Sequence, residues 1–401
     1  MLVSITREYA MSKTDKHVTI YVVHKGEDEE DIAKDDDDDS DDDEIKPVIK
    51  PKQTPPPLPV KSKVPISKQF FIKRGLPVTD LKSLIEAFNH PRADLKQRQF
   101  VVHLKELDAM IGMDTFKQQV INQILFFVQD LQEPQTFLHT VITGVPGTGK
   151  TCAINILAKI YCKLGILATD TVIHADRASM VGKYLGHTAV KTKEVLTSAL
   201  GGVLILDEVY SLGNKEQLDI FSKECIDTLN QFLSEHVDDF VCVIAGYKDL
   251  VQECFFNSNP GLERRFPWRF TIEPYTPAEL VKIMKGQMET GGWKFEDAVS
   301  DKYLEDFIRS NKECFSGNGG DTKNLIDKCK ILHARRVFTE NAMLEDVPIK
   351  KRRKGRKRYS PNVGVKGRKV LTKCDVDNGF KGLLESKKDF KKNLFTSSMY
   401  S

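Results

Sequence analysis

The chain has 401 residues, of which 29% are charged and 40% hydrophobic, and its formal net charge is +3. No run approaches the 18 apolar residues of a membrane-spanning helix, and the N-terminus lacks the apolar segment of a secretory signal. The eight cysteines form no C-x-x-C pair, which favours buried reduced thiols over disulfides or metal sites. These features predict an intracellular protein without a membrane segment. Its translation is predicted to start at Met1 or at Met11.

The small net charge conceals two opposed blocks. Residues 27–44 hold 14 acidic residues and one lysine, whereas residues 350–369 hold 11 basic residues and no acidic one. Segments with this density of like charges cannot form a buried core, and they are typical of disordered or interacting tails. Residues 47–65 contain 7 of the 17 prolines, which favours extended chain. We therefore predict that residues 1–66 form a disordered acidic and proline-rich region.

Periodic hydrophobicity begins after this region and changes type twice. A helical extension is predicted over residues 67–107, followed by a helix within 113–131. From FLHTVITG onward, short apolar strands (TVIHA, GGVLIL, FVCVIAG, WRFTI) alternate with helical patterns, which predicts a parallel sheet with crossover helices. The predicted domains are an α/β domain over 108–275 and a helical domain over 276–345. A basic loop over 346–369 and a C-terminal helix and tail over 370–401 follow.

A phosphate-binding loop stands between the first predicted strand and the next helix. The segment GVPGTGKT fits G-x-x-x-x-G-K-[ST], in which backbone N–H groups wrap a phosphate chain where glycines leave room. Lys150 would reach the β- and γ-phosphates, and the Thr151 hydroxyl would bind Mg²⁺. The predicted nucleotide-binding residues in this segment are Gly144, Val145, Pro146, Gly147, Thr148, Gly149, Lys150, Thr151 and Cys152.

Two acidic residues end a later strand, in GGVLILDE. Asp207 would position Mg²⁺, and Glu208 would polarise the water that attacks the γ-phosphate. A strand followed by an acidic turn is common by itself, but beside a phosphate loop it favours catalysis. Two adjacent acids and the absence of a guanine-reading N-K-x-D motif indicate hydrolysis of ATP rather than GTP.

Two arginines precede the last predicted strand, in NPGLERRF. A guanidinium stabilises the charge that develops on a transferred phosphoryl group, and one supplied by a neighbouring subunit would complete the site only in an oligomer. Without other context, a surface salt bridge is the more common use of such a pair.

Together these motifs, with SMVGKYLGHTAVKT and VIAGYKD, resemble the AAA+ ATPases, most closely the group of stage V sporulation protein K and red-type Rubisco activase (CbbX). The resemblance covers residues 108 to about 340. Large DNA viruses encode ATPases of similar appearance, with lids that contain K-C-K-I-x-H-x-R-R as in Lys328 to Arg336; a viral member would act in its host cell.

The resemblance implies a fold and a set of roles. The fold is an α/β AAA+ P-loop domain with a five-stranded parallel sheet of order 5-1-4-3-2, helices on both faces and a small all-α lid. The assembly is a homohexamer with ATP between subunits. Arg265 matches the arginine finger, with Arg264 as the alternate. Tyr184, Leu185 and Gly186 match the pore loop that grips a polypeptide in the central channel.

The chain departs from the family pattern in two places. The sensor residue after the fourth strand is usually Asn or Thr, whereas Tyr247 or Lys248 follows Gly246 here. In the lid motif G-N-A-R-x-V-R-N, Gly320 stands in place of the first arginine, which leaves Lys323 as the positive charge available to the nucleotide. Hydrolysis is therefore expected to be weak or to require a partner.

The basic tract has three interpretations. Residues 350–358 carry eight positive charges in nine residues, which fits a solvated loop, a nuclear-localisation signal or a contact with nucleic acid through 350–369. The predicted location is accordingly cytoplasmic or nuclear.

We predict a Mg²⁺-dependent ring ATPase that remodels or unfolds an unidentified protein substrate or a protein delivered by an adaptor. The alternatives are a nucleic-acid motor or clamp-loader-like ATPase, and a scaffold that binds ATP without useful turnover.

Overall fold

The computed structural model describes residues 65–344, apart from 74, 134, 185 and 214–219, together with residues 369–398. The acidic block, the proline-rich segment and almost all of the basic tract lie outside the described residues, so the predictions made for them stay predictions. Among the described residues, no helix has both the length and the apolarity needed to cross a membrane.

A parallel sheet of five strands forms the centre of the first domain, in the order β2-β3-β4-β1-β5. The predicted order 5-1-4-3-2 is confirmed, because it is the same order counted from the opposite edge. Central strands β3 and β4 are buried along their whole length. The strands are β1 Thr140–Gly144, β2 Val172–Ala175, β3 Val203–Leu206, β4 Val241–Gly246 and β5 Trp268–Ile272.

Helices cover both faces of this sheet. On one face, helices α1 to α4 form a buried cluster with Val203 and Ile205 of β3. On the opposite face, α6 and α7 form a second cluster with Leu204 and Leu206. This alternation follows the two-residue period of a strand. The helices are α1 Leu81–Phe88, α2 Leu95–Ala109, α3 Asp114–Val128, α4 Lys150–Leu164, α5 Arg177–Met180, α6 His187–Ser198, α7 Ile220–Glu235 and α8 Lys248–Leu250.

The lid has a hydrophobic core of its own, built mainly from helices. Its helices are α9 Pro277–Thr290, α10 Asp301–Ser310, α11 Asn318–Leu344 and α12 Lys373–Ser398. The prediction of a helical domain over residues 276–345 missed one detail, because β6 Lys294–Phe295 pairs in parallel with β7 Val370–Leu371. Two-residue strands leave no readable alternation in a sequence.

The C-terminal helix α12 packs into the lid core. Phe380 stacks on Phe307 of α10, and Gly379 lies against the Cys329 sulfur of α11 with no room for a Cβ, so α12 and α11 touch through a glycine. A buried carboxylate strengthens the contact: Asp375 accepts hydrogen bonds from Arg336. Burial alone would raise its pKa, but bonds from Arg336, the Thr372 backbone and His333 hold the pKa of Asp375 at about 2. The carboxylate therefore stays charged above that pH.

Candidate functional site

The predicted phosphate loop joins the end of β1 to the start of α4. Gly147 and Gly149 have φ of 70° and 82°, in the left-handed region that glycine occupies without strain. The buried Thr148 hydroxyl donates to the Val145 carbonyl at 2.9 Å and ties the loop together. The loop thus leads into the N-terminus of a 15-residue helix, where free N–H groups and the helix dipole favour an anion. Cys152 is exposed on the first turn of this helix.

Lys150 is held inside the loop. Its ammonium donates to the carbonyls of Gly144 at 3.0 Å and Val145 at 2.9 Å, and it lies 4.6 Å from the centre of the Tyr247 ring. Burial lowers the pKa of Lys150, against the opposite effect of Asp207 and Glu208. The same N–H groups that now bond the loop carbonyls are the ones that would turn to a bound phosphate.

The acidic pair lies beside the loop. The Thr151 hydroxyl donates to the Asp207 carboxylate at 2.6 Å, and the other oxygen of that carboxylate accepts the N–H of Glu208 at 2.9 Å. Glu208 is exposed, with a left-handed φ of 52° directly after β3. A hydroxyl and a carboxylate are oxygen ligands of the kind that Mg²⁺ takes in nucleotide sites, so this donor set fits the ion. Residues 56 positions apart in the chain thus meet at one site.

The two arginines occupy a different place. They lie in a turn, Glu263–Arg265, just before β5. Arg265 donates through Nε to the Ser234 hydroxyl at 2.8 Å and through another nitrogen to the Gly261 carbonyl, while Arg264 is exposed. Within the described part of the chain, neither makes a hydrogen bond or ion pair with the phosphate loop or with the acidic pair. Burial, followed by the charge of Arg264, lowers the pKa of Arg265.

The predicted pore-loop tyrosine lies at the surface. Tyr184 is 68% exposed, and its ring meets His187 edge-to-face at 5.6 Å. Gly186 has φ of 80° and is the N-cap residue that precedes α6. Leu185 lies outside the described residues.

The lid contacts the phosphate loop through groups that the sequence analysis did not single out. Asn318, at the start of α11, donates to the Pro146 carbonyl at 3.0 Å and accepts the N–H of Tyr275 at 3.1 Å. The Tyr275 hydroxyl donates to the Thr148 carbonyl at 2.9 Å, and the Gly319 N–H donates to the Gly147 carbonyl at 3.1 Å. The bonds from Asn318 and Gly319 join the lid directly to the loop, and Tyr275 contacts both the loop and Asn318, all without an arginine.

The two positions of the lid motif that the family pattern assigns to the nucleotide, Gly320 and Lys323, make fewer contacts. A Cβ on Gly320 would meet no atom within 4 Å, so the space that a longer side chain would enter is open. Lys323 is exposed on α11 and, among the described residues, makes no ion pair with the acidic pair. The family pattern assigns the nucleotide contact to an arginine that Gly320 replaces here, whereas the lid residue that bonds the loop is Asn318.

Two methionines border the loop at Gly149. A Cβ on Gly149 would lie 3.1 Å from the end of the Met113 side chain and 3.7 Å from that of Met110. Between them, Gly112 has φ of 63°, and Met113 itself has φ of 60°. The only sequence signal for this turn is the run Met-Ile-Gly-Met between two helical patterns.

The Asn318 contact leads to a prediction about stability. Asn318 is 3% exposed with φ of 48°, a conformation that Asn and Gly tolerate better than other residues. We expect Asn318→Gly to lower the free energy of unfolding by about 1–3 kcal/mol, because it leaves the Pro146 carbonyl and the Tyr275 N–H without this partner. Asn318→Ala should cost about 1 kcal/mol more, from the left-handed backbone. Urea unfolding of the three proteins measures both effects; equal stability of wild type and Asn318→Gly would contradict the first.

Comparisons with known proteins agree with this architecture. The model of the ATPase family associated with various cellular activities (AAA) matches residues 140–255, and that of the AAA lid domain matches residues 276–352. A putative cfxQ-like protein of Acanthamoeba polyphaga mimivirus is 42% identical over 243 residues, or 60% of each chain.

Two cellular proteins are also similar. Stage V sporulation protein K of Bacillus subtilis is 32% identical over 253 residues, which cover 60% of this chain and 77% of that one. The chloroplastic ribulose bisphosphate carboxylase/oxygenase activase of Cyanidioschyzon merolae is 32% identical over 255 residues, which cover 62% and 87% of the two chains.

Proposed function

Because the chain belongs to the AAA ATPases, in the group that contains stage V sporulation protein K and the CfxQ proteins, we propose that it couples ATP hydrolysis to the remodelling of a protein substrate. The observation that carries the proposal is the 2.6 Å hydrogen bond between Thr151 and Asp207. It joins the phosphate loop to the acidic pair in one site.

Each group at this site has a role that its chemistry supports. Lys150 binds the β- and γ-phosphates when its ammonium leaves the loop carbonyls. Thr151 and Asp207 would hold Mg²⁺, which would neutralise charge on the phosphate oxygens. Glu208 accepts a proton from the attacking water. Arg265 of a neighbouring subunit stabilises the charge on the γ-phosphate; in its own subunit its partners are Ser234 and Gly261 rather than the acidic pair.

A protein substrate is proposed for two reasons. The relative from Cyanidioschyzon merolae is named as the activase of an enzyme, so it acts on a protein. An exposed aromatic ring such as Tyr184 can contact an unfolded chain without regard to its sequence. In a closed hexameric ring, six such loops would surround one channel.

The experiment that tests this proposal measures ATP turnover with and without an unfolded polypeptide. We expect the polypeptide to raise the wild-type rate severalfold. Tyr184→Ala should abolish that rise, because it removes the ring that grips the chain. Tyr184→Phe serves as the matched control, since it keeps the ring and should keep the stimulation. A polypeptide-stimulated rate in Tyr184→Ala equal to that of wild type would exclude the pore-loop role.

The basic tract supports a second candidate function. Eight positive charges over residues 350–358 are suited to contacts with the phosphates of nucleic acid. The same tract also fits a nuclear-localisation signal, which would bring the protein to nucleic acid. A nucleic-acid-associated ATPase would respond to DNA or RNA rather than to polypeptide, and the response would fall steeply with salt. The same turnover assay therefore distinguishes the two candidates.

A further inference from the structure

A glycine-rich turn of the lid lies directly against the phosphate loop. It spans residues 317–320, Gly-Asn-Gly-Gly, where α11 begins. The Gly319 N–H donates to the Gly147 carbonyl at 3.1 Å, and Gly147 lies against the Gly317 carbonyl with no room for a Cβ. The two segments thus touch through their backbones. Because three of the four residues are glycines, the turn has a large conformational entropy when it is free, and neighbouring side chains must impose its shape.

Two side chains impose that shape. Asp321 accepts the N–H of Gly317 at 2.6 Å, and Gln287 of α9 donates to the Gly319 carbonyl at 2.9 Å. Asp321 lies in the first turn of α11, where the helix dipole favours a carboxylate, and it is only 4% exposed. A carboxylate removed from water to this extent requires an opposite charge or several hydrogen bonds to compensate it.

The opposite charge comes from the C-terminal helix. The other carboxylate oxygen of Asp321 accepts a hydrogen bond from the Lys387 ammonium at 2.8 Å, across 66 positions of the chain. Lys387 lies one helical turn after Leu383, which is buried in the lid core, so the packing of α12 directs the lysine along the same face of the helix. This helix begins at Lys373, beyond residue 352, where the match to the lid model ends.

We propose that Asp321 and Lys387 are positioning residues, and that their ion pair fixes the glycine-rich turn against the phosphate loop, so that α12 contributes to the affinity for ATP. The inference rests on the proposed ATP site. Without Lys387 a buried carboxylate loses its countercharge, and the Asp321 side chain gains solvation by turning toward water. That movement releases the Gly317 N–H and frees the turn. The phosphate loop then loses part of its preorganisation, and ATP binding has to supply the ordering instead.

The first experiment measures the affinity for a fluorescent ATP analogue. Lys387→Met keeps the length of the side chain and removes its charge, so it should weaken binding about fivefold through the lost preorganisation. The kcat at saturating ATP should not change, because the acidic pair stays in place. Lys387→Arg keeps the charge and should bind as wild type does. Equal affinities of Lys387→Met and wild type would overturn the inference.

The adjacent lysine provides the matched control. Lys388 is exposed on α12 and, within the part of the chain that the structure describes, makes no ion pair. Lys388→Met removes the same charge from the same helix and should bind the analogue with wild-type affinity. A fivefold loss in Lys388→Met as well would reduce the effect of Lys387 to the net charge of α12 and would contradict the proposal.

A double-mutant cycle separates the ion pair from a general effect on folding. Asp321→Asn retains an oxygen that can accept the Gly317 N–H, but it has no charge that needs compensation. In that background, Lys387→Met should change the affinity by less than about 1.5-fold, since no carboxylate is left unpaired. The same fivefold loss in both backgrounds would show that Lys387 does not act through Asp321.

Hydrogen exchange followed by mass spectrometry reports on the turn itself. In the protein without nucleotide, Lys387→Met should raise the exchange rate of a peptide that contains residues 316–321 about threefold or more. A peptide from β3 should exchange as in wild type, which verifies that the sheet is still folded. Wild-type exchange of the turn in Lys387→Met would mean that the lysine does not hold it.

Failure of the inference and failure of the proposed function give different results. If wild type binds the ATP analogue and Lys387→Met binds it equally well, the ion pair does not position the turn, and the proposed function stands. If wild type binds no ATP, the proposed function is wrong and the effect on ATP affinity is lost with it, whereas hydrogen exchange still decides whether Lys387 holds the turn.

Discussion

Glu208→Gln is expected to bind ATP as wild type does and to lower kcat by about 10²–10⁴-fold. The amide has nearly the same shape as the carboxylate but cannot accept a proton from the attacking water. Binding should persist, because the residues proposed to hold the phosphates and Mg²⁺ are unchanged and Glu208 is not among them. Turnover is measured by phosphate release, and binding by a fluorescent ATP analogue.

Two further variants control this result. Glu194→Gln makes the same chemical change at an exposed position of α6 and should turn over at the wild-type rate. Lys150→Ala should lose ATP binding altogether, which separates failure of binding from failure of chemistry. Wild-type turnover in Glu208→Gln would remove Glu208 from the role of base. An inactive Glu208→Gln ring would also retain substrate, so a pull-down with this variant is the direct way to identify the substrate.

Arg265→Ala is expected to assemble as wild type does and to lower kcat by about 10³-fold or more, the usual effect of losing an arginine finger. Arg265→Lys should be nearly as inactive, because an ammonium lacks the planar fork that binds two phosphate oxygens at once. Arg264→Ala is the matched control on the adjacent exposed residue. If Arg264→Ala is inactive and Arg265→Ala active, the finger is Arg264.

Mixing two inactive variants tests whether the arginine acts between subunits. In mixed rings of Arg265→Ala and Glu208→Gln, some interfaces combine an intact Glu208 with an intact Arg265 from the neighbour. With random assembly in equal amounts this holds for about a quarter of the interfaces, so activity should return. Mixed rings that form but stay inactive would contradict a finger supplied by the neighbouring subunit.

Much of the site could be predicted because it depends on short segments. The phosphate loop needs eight consecutive residues, and the acidic pair needs one strand and the two residues after it. Hydrophobic alternation is also local, so it located the strands and most helices. The order of the strands came instead from resemblance to a family, since periodicity describes how an element is buried and says nothing about its neighbours.

The remaining features depend on residues that are distant in the chain. Asn318 bonds Pro146 across 172 positions, and Tyr247 reaches Lys150 only because β1 and β4 lie side by side. No sequence pattern in either segment predicts such a contact. The same holds for α12, whose Phe380 completes a lid core that begins about 100 residues earlier at Leu280.

The amino-acid sequence by itself thus determined which groups are available to this protein: a loop suited to phosphate, two adjacent acids and a pair of arginines. The tertiary structure alone decided how those groups are held, through the Tyr247 ring beside Lys150 and the lid contacts at Asn318. The physical reason is that backbone conformation and burial period are properties of short segments. Side-chain contacts between segments depend instead on the packing of the whole sheet and lid.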